Sequence, residues 1–168
     1  MDINTPISDD IIKNLKVGDK ITISGYIYCG RDAVLPKLVE IFKNEDLSSF
    51  GIELAGSVIF HTAVSPAGVG PTSSNKLEIE SSIEPLSAAG VKLHLGKGAI
   101  CKETVNALQR HNAVYAIIPP VTALLESKTT EKNIAAFAEY GMEAFHKLKV
   151  DGYPAIIAAA HGECIYER

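Results

Sequence analysis

Three polar turns carry the residues with chemical reach. Arg31-Asp32 follows an alternating apolar run, Thr72 to Lys76 ends a Gly/Pro-rich loop, and Lys97 sits between Gly96 and Gly98. A guanidinium takes a carboxylate through paired N–H donors, whereas a lysine ammonium is a compact point charge. Arg31, Lys76 and Lys97 would together suit a small dicarboxylate. Each turn also has a plainer alternative. Arg31-Asp32 is the pattern of a solvated ion pair at a helix start, and Gly-Lys-Gly that of an exposed turn lysine. Thr72, Ser73 or Ser74 could be an N-cap, at the kind of helix start whose N–H groups otherwise favour an anion. Gly68 to Lys76 lacks the Gly-Lys-Ser/Thr ending of a phosphate-binding loop. Cys29, beside Gly30 and Arg31, reads either as a thiol near positive charge or as a small buried hydrophobe. His61, His94, His111, His146 and His161 show no metal-ligand spacing, so packing or surface roles are expected.

Ligands of α/β sheets gather outside the carboxyl ends of strands, so the elements before these turns matter. Lys20 to Tyr28 alternates at period two with β-branched and aromatic residues and predicts a strand. Val34, Leu38, Ile41 and Phe42 then mark one face of a helix over 31–42, with Pro36 confined to its first turns. A second strand is predicted over 51–60. After the loop of 65–76 comes a helix to about Ala89, which Pro85 could kink or restart. Val91 to Leu95 reads as a strand, Lys102 to Gln109 as a helix and Ala113 to Ile118 as a buried strand closed by Pro119-Pro120. Helices are expected over 121–125 and 132–140, and strands over 143–150, 155–160 and 164–166. Turns at Gly152-Tyr153-Pro154 and His161-Gly162 separate these last strands. The pattern is that of a single mixed α/β domain.

Composition narrows the function. Of 168 residues 46% are hydrophobic and 21% charged, which is too apolar for a disordered chain. A net charge of −4, with no basic run interleaved with aromatics, argues against a nucleic-acid partner. No stretch approaches the ~20 apolar residues of a membrane span, and the opening Met1 to Pro6 lacks a basic-then-apolar leader. A cytoplasmic location is expected, with no membrane contact. The three cysteines, Cys29, Cys101 and Cys164, are widely spaced without a CxxC pair, so no metal centre within this chain is expected.

In order and spacing, these segments resemble the β subunit, or C-terminal domain, of class I fumarases and L-tartrate dehydratases. The likeness rests on Leu15 to Gly25 followed by Arg31-Asp32-Ala33, then Gly70-Pro71-Thr72-Ser73-Ser74 and Gly96-Lys97-Gly98. Gly141-Met142-Glu143-Ala144 and Val150 to Ala155 continue it towards the end. The resemblance implies a swivelling β/β/α domain with a mixed sheet and flanking helices, spanning 1–168. It also implies an α subunit that holds a 4Fe–4S cluster, no cofactor in this chain, and hydro-lyase chemistry on a hydroxy-dicarboxylic acid. By matching position Thr72 would be the base, while Arg31, Lys76, Lys97 and Ser73 would bind substrate. An apolar face left for the α subunit could let the chain self-associate when alone. Leu35 stands where the family has histidine and Lys76 where it has arginine, which leaves as the alternative a non-catalytic or substrate-shifted relative that binds an α partner or a small anion.

Overall fold

The computed structural model describes residues 1–44, 47–72, 76–119 and 121–166, with the side chains of Pro71, Lys76 and Glu78 outside the description. The first half runs β1 (Asp2–Asn4), α1 (Asp9–Asn14), β2 (Lys20–Cys29), α2 (Leu35–Asn44), β3 (Val58–Phe60), β4 (Thr62–Ser65), β5 (Gly68–Thr72) and α3 (Lys76–Ala88). It continues through β6 (Leu93–Gly96), α4 (Lys102–Arg110), β7 (Val114–Ile117), α5 (Thr122–Ser127), β8 (Thr129–Ala136), β9 (Phe145–Ala160) and β10 (Glu163–Cys164). Short 3-10 turns cover Leu47–Phe50 and Ala138–Glu143.

Five strands close into a ring. β2, β3, β6 and β7 pair in parallel in that order, and β9 closes the circle by pairing antiparallel with both β7 and β2. Closure leaves no exposed row of backbone donors and acceptors along these strands. Side chains alternate at period two, so one set fills the interior: Ile21, Ile23, Ile27, Val58, Phe60, Leu93, Leu95, Val114, Leu148, Tyr153 and Ile157. On the outside, α2 and α3 cover Tyr28 and Ile59 through Leu35, Leu38 and Leu86. α3 and α4 cover Tyr115 and Ala158 through Ile79, Ile83, Val105 and Leu108. The mixed α/β reading, with a mixed sheet and flanking helices, therefore stands.

Several local expectations are corrected. Gly152-Tyr153-Pro154 is not a turn but a bulge inside one continuous strand. Between the pairs Ile23–Tyr153 and Gly25–Val150, β9 advances by one residue more than β2, with Gly152 at φ +74°. The extra residue keeps both Val150 and Tyr153 facing inward. Pro154 is tolerated because it lies between the stretch of β9 that β8 covers and the stretch that β7 covers. The Thr22 N–H opposite it bonds the Met1 carbonyl instead. The segment 132–140 is not a helix: β8 pairs along β9 up to Ala136, and cross-strand pairing overrides its alanine-rich local preference. The strand expected over 51–60 is confined to β3, and the polar lead holds β1 and α1. Helix α3 runs through Pro85 without a break.

Candidate active site

Because β2, β3, β6 and β7 are parallel neighbours, their carboxyl ends form one row. Backbone bonds carry the row past the strands: Gly30 N–H to Phe60 O at 3.1 Å, His61 N–H to Leu95 O at 3.0 Å and Ile118 N–H to Gly96 O at 3.2 Å. Arg31 leaves β2, His61-Thr62 leaves β3 and Lys97 leaves β6. The exits of β2 and β6 thus flank that of β3 by one strand spacing each, about 4.8 Å.

Thr72 reaches the middle of this row through the hairpin. β4 continues from the exit of β3, and β5 folds back on it so that Thr72 pairs with Thr62. Thr72 is buried, at 8% exposure. Helix α5 is set against the hairpin. A Cβ on Gly68 would come within 2.5 Å of Thr122 Cγ2, and Gly68 and Gly70 sit at φ +146° and +140°. These glycines let the helix approach a strand that a side chain would push away. Arg31, Thr72 and Lys97 are thus brought to one edge. Ser73 and the Lys76 side chain lie outside the described residues, as does the N-cap question at Ser73 and Ser74.

Arg31 is half-buried and pairs bidentately with a carboxylate of its own chain. Its Nε–H donates to Glu143 Oε2 at 3.1 Å and its Nη2 to Glu143 Oε1, while Asp32 lies 4.0 Å away. Both partners are tethered to the core. Tyr28, three residues before Arg31, stacks on Phe145, two residues after Glu143, with ring centroids 5.1 Å apart and planes within 9°. Lys97 is exposed on a turn whose backbone is fixed from below: Tyr115 donates its hydroxyl to Gly98 O at 3.2 Å. A Cβ at Gly96 would meet the Tyr115 hydroxyl at 2.9 Å, so this turn needs glycine for close approach. Burial pushes the Tyr115 phenol well above its ordinary range, which keeps it a donor. Beside Lys97 opens a largely apolar groove of about 700 Å³ bounded by Ile117, Pro119, Pro154, Ile156 and Tyr166.

Behind the row lies a polar chain that sequence reasoning read only as packing or surface. His61 Nε2 is 3.2 Å from His94 Nδ1, and His94 Nε2 is 2.9 Å from Ser87 Oγ on α3. Both imidazoles are fully buried. Burial, then the neighbouring His61, hold the His94 pKa well below the ordinary range. The sequence signal was present: His94 is flanked by Leu93 and Leu95, and His61 directly follows Val58-Ile59-Phe60. Glu143 was also missed as a partner of Arg31, since 112 residues separate the two. Among the described residues no group of three His, Cys, Asp or Glu side chains could hold a metal ion. Cys29 is a buried hydrophobe inside the ring, its thiol pushed up by burial.

The sequence profile described as Fumarase C-terminus matches residues 1–168. The chain belongs to the fumarase C-terminus family. A Methanocaldococcus jannaschii protein provisionally named L(+)-tartrate dehydratase subunit beta is 30% identical over 171 residues, covering 93% of this chain and 86% of the relative. The L(+)-tartrate dehydratase subunit beta of Escherichia coli K12 is 28% identical over 77% of this chain and 66% of its own length. The aerobic class I fumarate hydratase of the same organism is 25% identical over 94% of this chain but only 30% of the relative. This chain therefore spans about a third of the length of the class I fumarate hydratase relatives and most of the length of the subunit beta relatives. Among the described residues of this family member, no helix is long and apolar enough to cross a membrane.

Proposed function

We propose that this chain is the β subunit of a 4Fe–4S-dependent hydro-lyase that adds or eliminates water on a small hydroxy-dicarboxylic acid of the fumarate/malate or tartrate type. The observation that carries the reading is the gathering of Arg31, Thr72 and Lys97 at one edge of the parallel strands, in a member of a family whose relatives bear those enzymes' names. In this reading residues 1–168 act as one swivelling domain, cytoplasmic, that closes against the α subunit. In this reading the α subunit would hold the cluster, as the family resemblance implies. Bound there, it would supply Lewis acidity to the substrate hydroxyl.

The rest of the chemistry falls to this chain. Lys97 and Arg31 take the two substrate carboxylates, with Lys76 and Ser73 completing the anion contacts. Thr72 removes the proton from the carbon next to the hydroxyl-bearing one. A threonine hydroxyl is a weak base by itself, so its alkoxide needs nearby cations, and Lys97 and Lys76 are the groups to supply them. Its partial burial strengthens that electrostatic help by keeping bulk water away. Leu77, five residues after Thr72, and Met142, beside Glu143, are exposed apolar residues that the α subunit would cover in this reading.

A second reading, a relative that assembles without turnover, draws on Leu35. This residue is 1% exposed and packed into the core beside Val34, so it offers no polar group where the family has histidine. Anaerobic co-expression with the cluster-bearing α subunit, followed by fumarate-hydration and tartrate-dehydration assays, separates the two. Turnover by the complex alone is expected, and Thr72→Ala is expected to lower kcat by about 100-fold or more while assembly persists. An assembled, cluster-loaded complex without turnover on either acid would overturn the first reading in favour of the second.

A further inference from the structure

Outside the ring, between β2 and the loop that leads into β3, lies a mixed polar cleft of about 240 Å³ that shares no residue with the row of strand exits. Thr5, Tyr26, Tyr28, Glu53, Ser57 and Lys147 line it. Its walls are fixed by contacts of their own. The Tyr28 ring is stacked on Phe145, and its hydroxyl oxygen accepts the Glu53 N–H at 3.1 Å. Lys147, opposite Tyr28 in the pairing of β9 with β2, lies over the Tyr26 ring at 4.8 Å. The segment carrying Thr5 is pinned at both ends: Thr5 N–H donates to Ser24 O at 3.0 Å and Ile7 N–H to Gly56 O at 2.7 Å. What the cleft lacks is partners. Ser57 is only 6% exposed, and its Oγ has no hydrogen-bond partner among the described residues. Tyr28 is 4% exposed, and its hydroxyl hydrogen finds no acceptor among them. Leaving buried hydroxyls unpaired is unfavourable, so two of them beside one cleft call for a ligand that fills it. Glu53 and Lys147 bring one charge of each sign to the same place, and neither forms an ion pair among the described residues.

We propose that this cleft binds a small zwitterion of the free α-amino-acid class. The hydroxyl donors of Ser57 and Tyr28 and the Lys147 ammonium suit its carboxylate, and the Glu53 carboxylate suits its ammonium. Other small ligands leave part of the set unmatched. A simple anion meets Lys147 but is repelled by Glu53, a simple cation meets the reverse, and a neutral polyol leaves both charges to water. The volume lies just under the ~300 Å³ at which sites for drug-sized molecules begin, so the side chain of the ligand must be small. The walls are already held by stacking, strand pairing and backbone bonds, so little ordering of the protein is lost on binding. The site stands on this chain alone and is independent of the hydro-lyase reading.

The test is titration of the ¹⁵N-labelled full chain with glycine, L-alanine and L-serine, and with acetate and methylammonium as the two separate halves. Saturable shifts of the Glu53 and Ser57 amide signals are expected for at least one amino acid, with a Kd of about 1 mM or tighter and either half bound at least about ten-fold more weakly. Glu53 is exposed and Lys147 partly so, which lets Glu53→Gln and Lys147→Met keep the fold. Each is expected to weaken binding about ten-fold while signals remote from the cleft stay in place. Ser57→Ala is expected to weaken binding as well and to leave Tm unchanged or higher, because it removes an unpaired buried hydroxyl. No saturation by any of the three amino acids up to about 50 mM overturns the proposal and leaves the cleft to water. Acetate bound as tightly as the amino acids, or an affinity unchanged in Glu53→Gln, overturns it too, because the ligand is then a plain anion.

Discussion

Gly68→Ala tests how Thr72 is held. The new methyl would sit 2.5 Å from Thr122 Cγ2, with Glu126 Cβ and Thr122 O at an ordinary 3.7 Å, so the clash is with a single methyl group. Overpacking of this kind costs about 1–3 kcal/mol. Gly68 also holds φ +146°, which an alanine adopts only with strain of about 1 kcal/mol or more. The sum is ~3 kcal/mol, or a fall in Tm of roughly 6–12 °C for a chain of this length. Thr122→Ser removes the clashing methyl. Since Thr122 is exposed, that change alone is expected to stay within about 0.5 kcal/mol. The double variant Gly68→Ala/Thr122→Ser is then expected to recover about 1–2 kcal/mol, leaving the backbone strain behind. Urea unfolding of the four proteins gives the coupling directly. Additive losses, or a stable Gly68→Ala protein, would show that helix α5 does not clamp the hairpin and that Thr72 is held by other means.

Two further outcomes concern buried groups. His94 has a folded pKa well below its unfolded value near 6.5, so the unfolded state binds the extra proton as pH falls. Stability is therefore complete above about pH 6.5 and declines towards pH 5 with a slope approaching about 1.4 kcal/mol per pH unit from this group. His146, also lowered by burial, adds to the same trend. His94→Gln is expected to flatten the slope of urea-derived stability between pH 7 and 5 whatever it does to stability at pH 7; an unchanged slope would mean that His94 is not the neutral group. Iodoacetamide on the native protein is expected to label Cys101 and Cys164, which are partly exposed, and to reach Cys29 only on unfolding. Native labelling of Cys29 at a comparable rate, read by peptide mass, would contradict its burial inside the ring.

The elements nearest the site were legible because each is a local pattern. β2 alternates strictly, and Gly96-Lys97-Gly98 marks a turn by composition. What local pattern could not show is closure. Nothing in Gly152-Tyr153-Pro154 distinguishes a bulge from a turn until β2 lies on one side of it and a gap between β8 and β7 lies on the other. The same holds for 132–140, where alanines read as helix and pairing with β9 decides for strand. At the site, Arg31 and Lys97 could be assigned to strand exits from the sequence. Their side-by-side arrangement depends on strand order, in which β3 falls between β2 and β6. The apolar flanks of His94 and His61 signalled burial, but the pairing of Glu143 with Arg31 and of Ser87, His94 and His61 with one another lies in contacts across 112, 7 and 33 residues.

Closure of the ring also bears on why a site of this kind can be one half of a larger one. In an open sheet, the strand exits spread along an edge and a ligand sinks into the crevice where strand order reverses. Here the ring interior is filled by large apolar side chains, among them Phe60, Leu95 and Ile118 close to the exits, so a ligand meets a packed core between these strands. Of the polar groups of the row, Arg31 and Lys97 lie on a rim over that core, while His61, Thr62 and Thr72 are covered. Lys97 is exposed, Arg31 is half-covered by Glu143, and Thr72 is raised on a hairpin rather than sunk in the sheet. A rim can orient a small anion from one side but cannot exclude water from it. Chemistry that needs a weakly basic hydroxyl and strong electrostatics then needs a second surface to close over Arg31, Thr72 and Lys97.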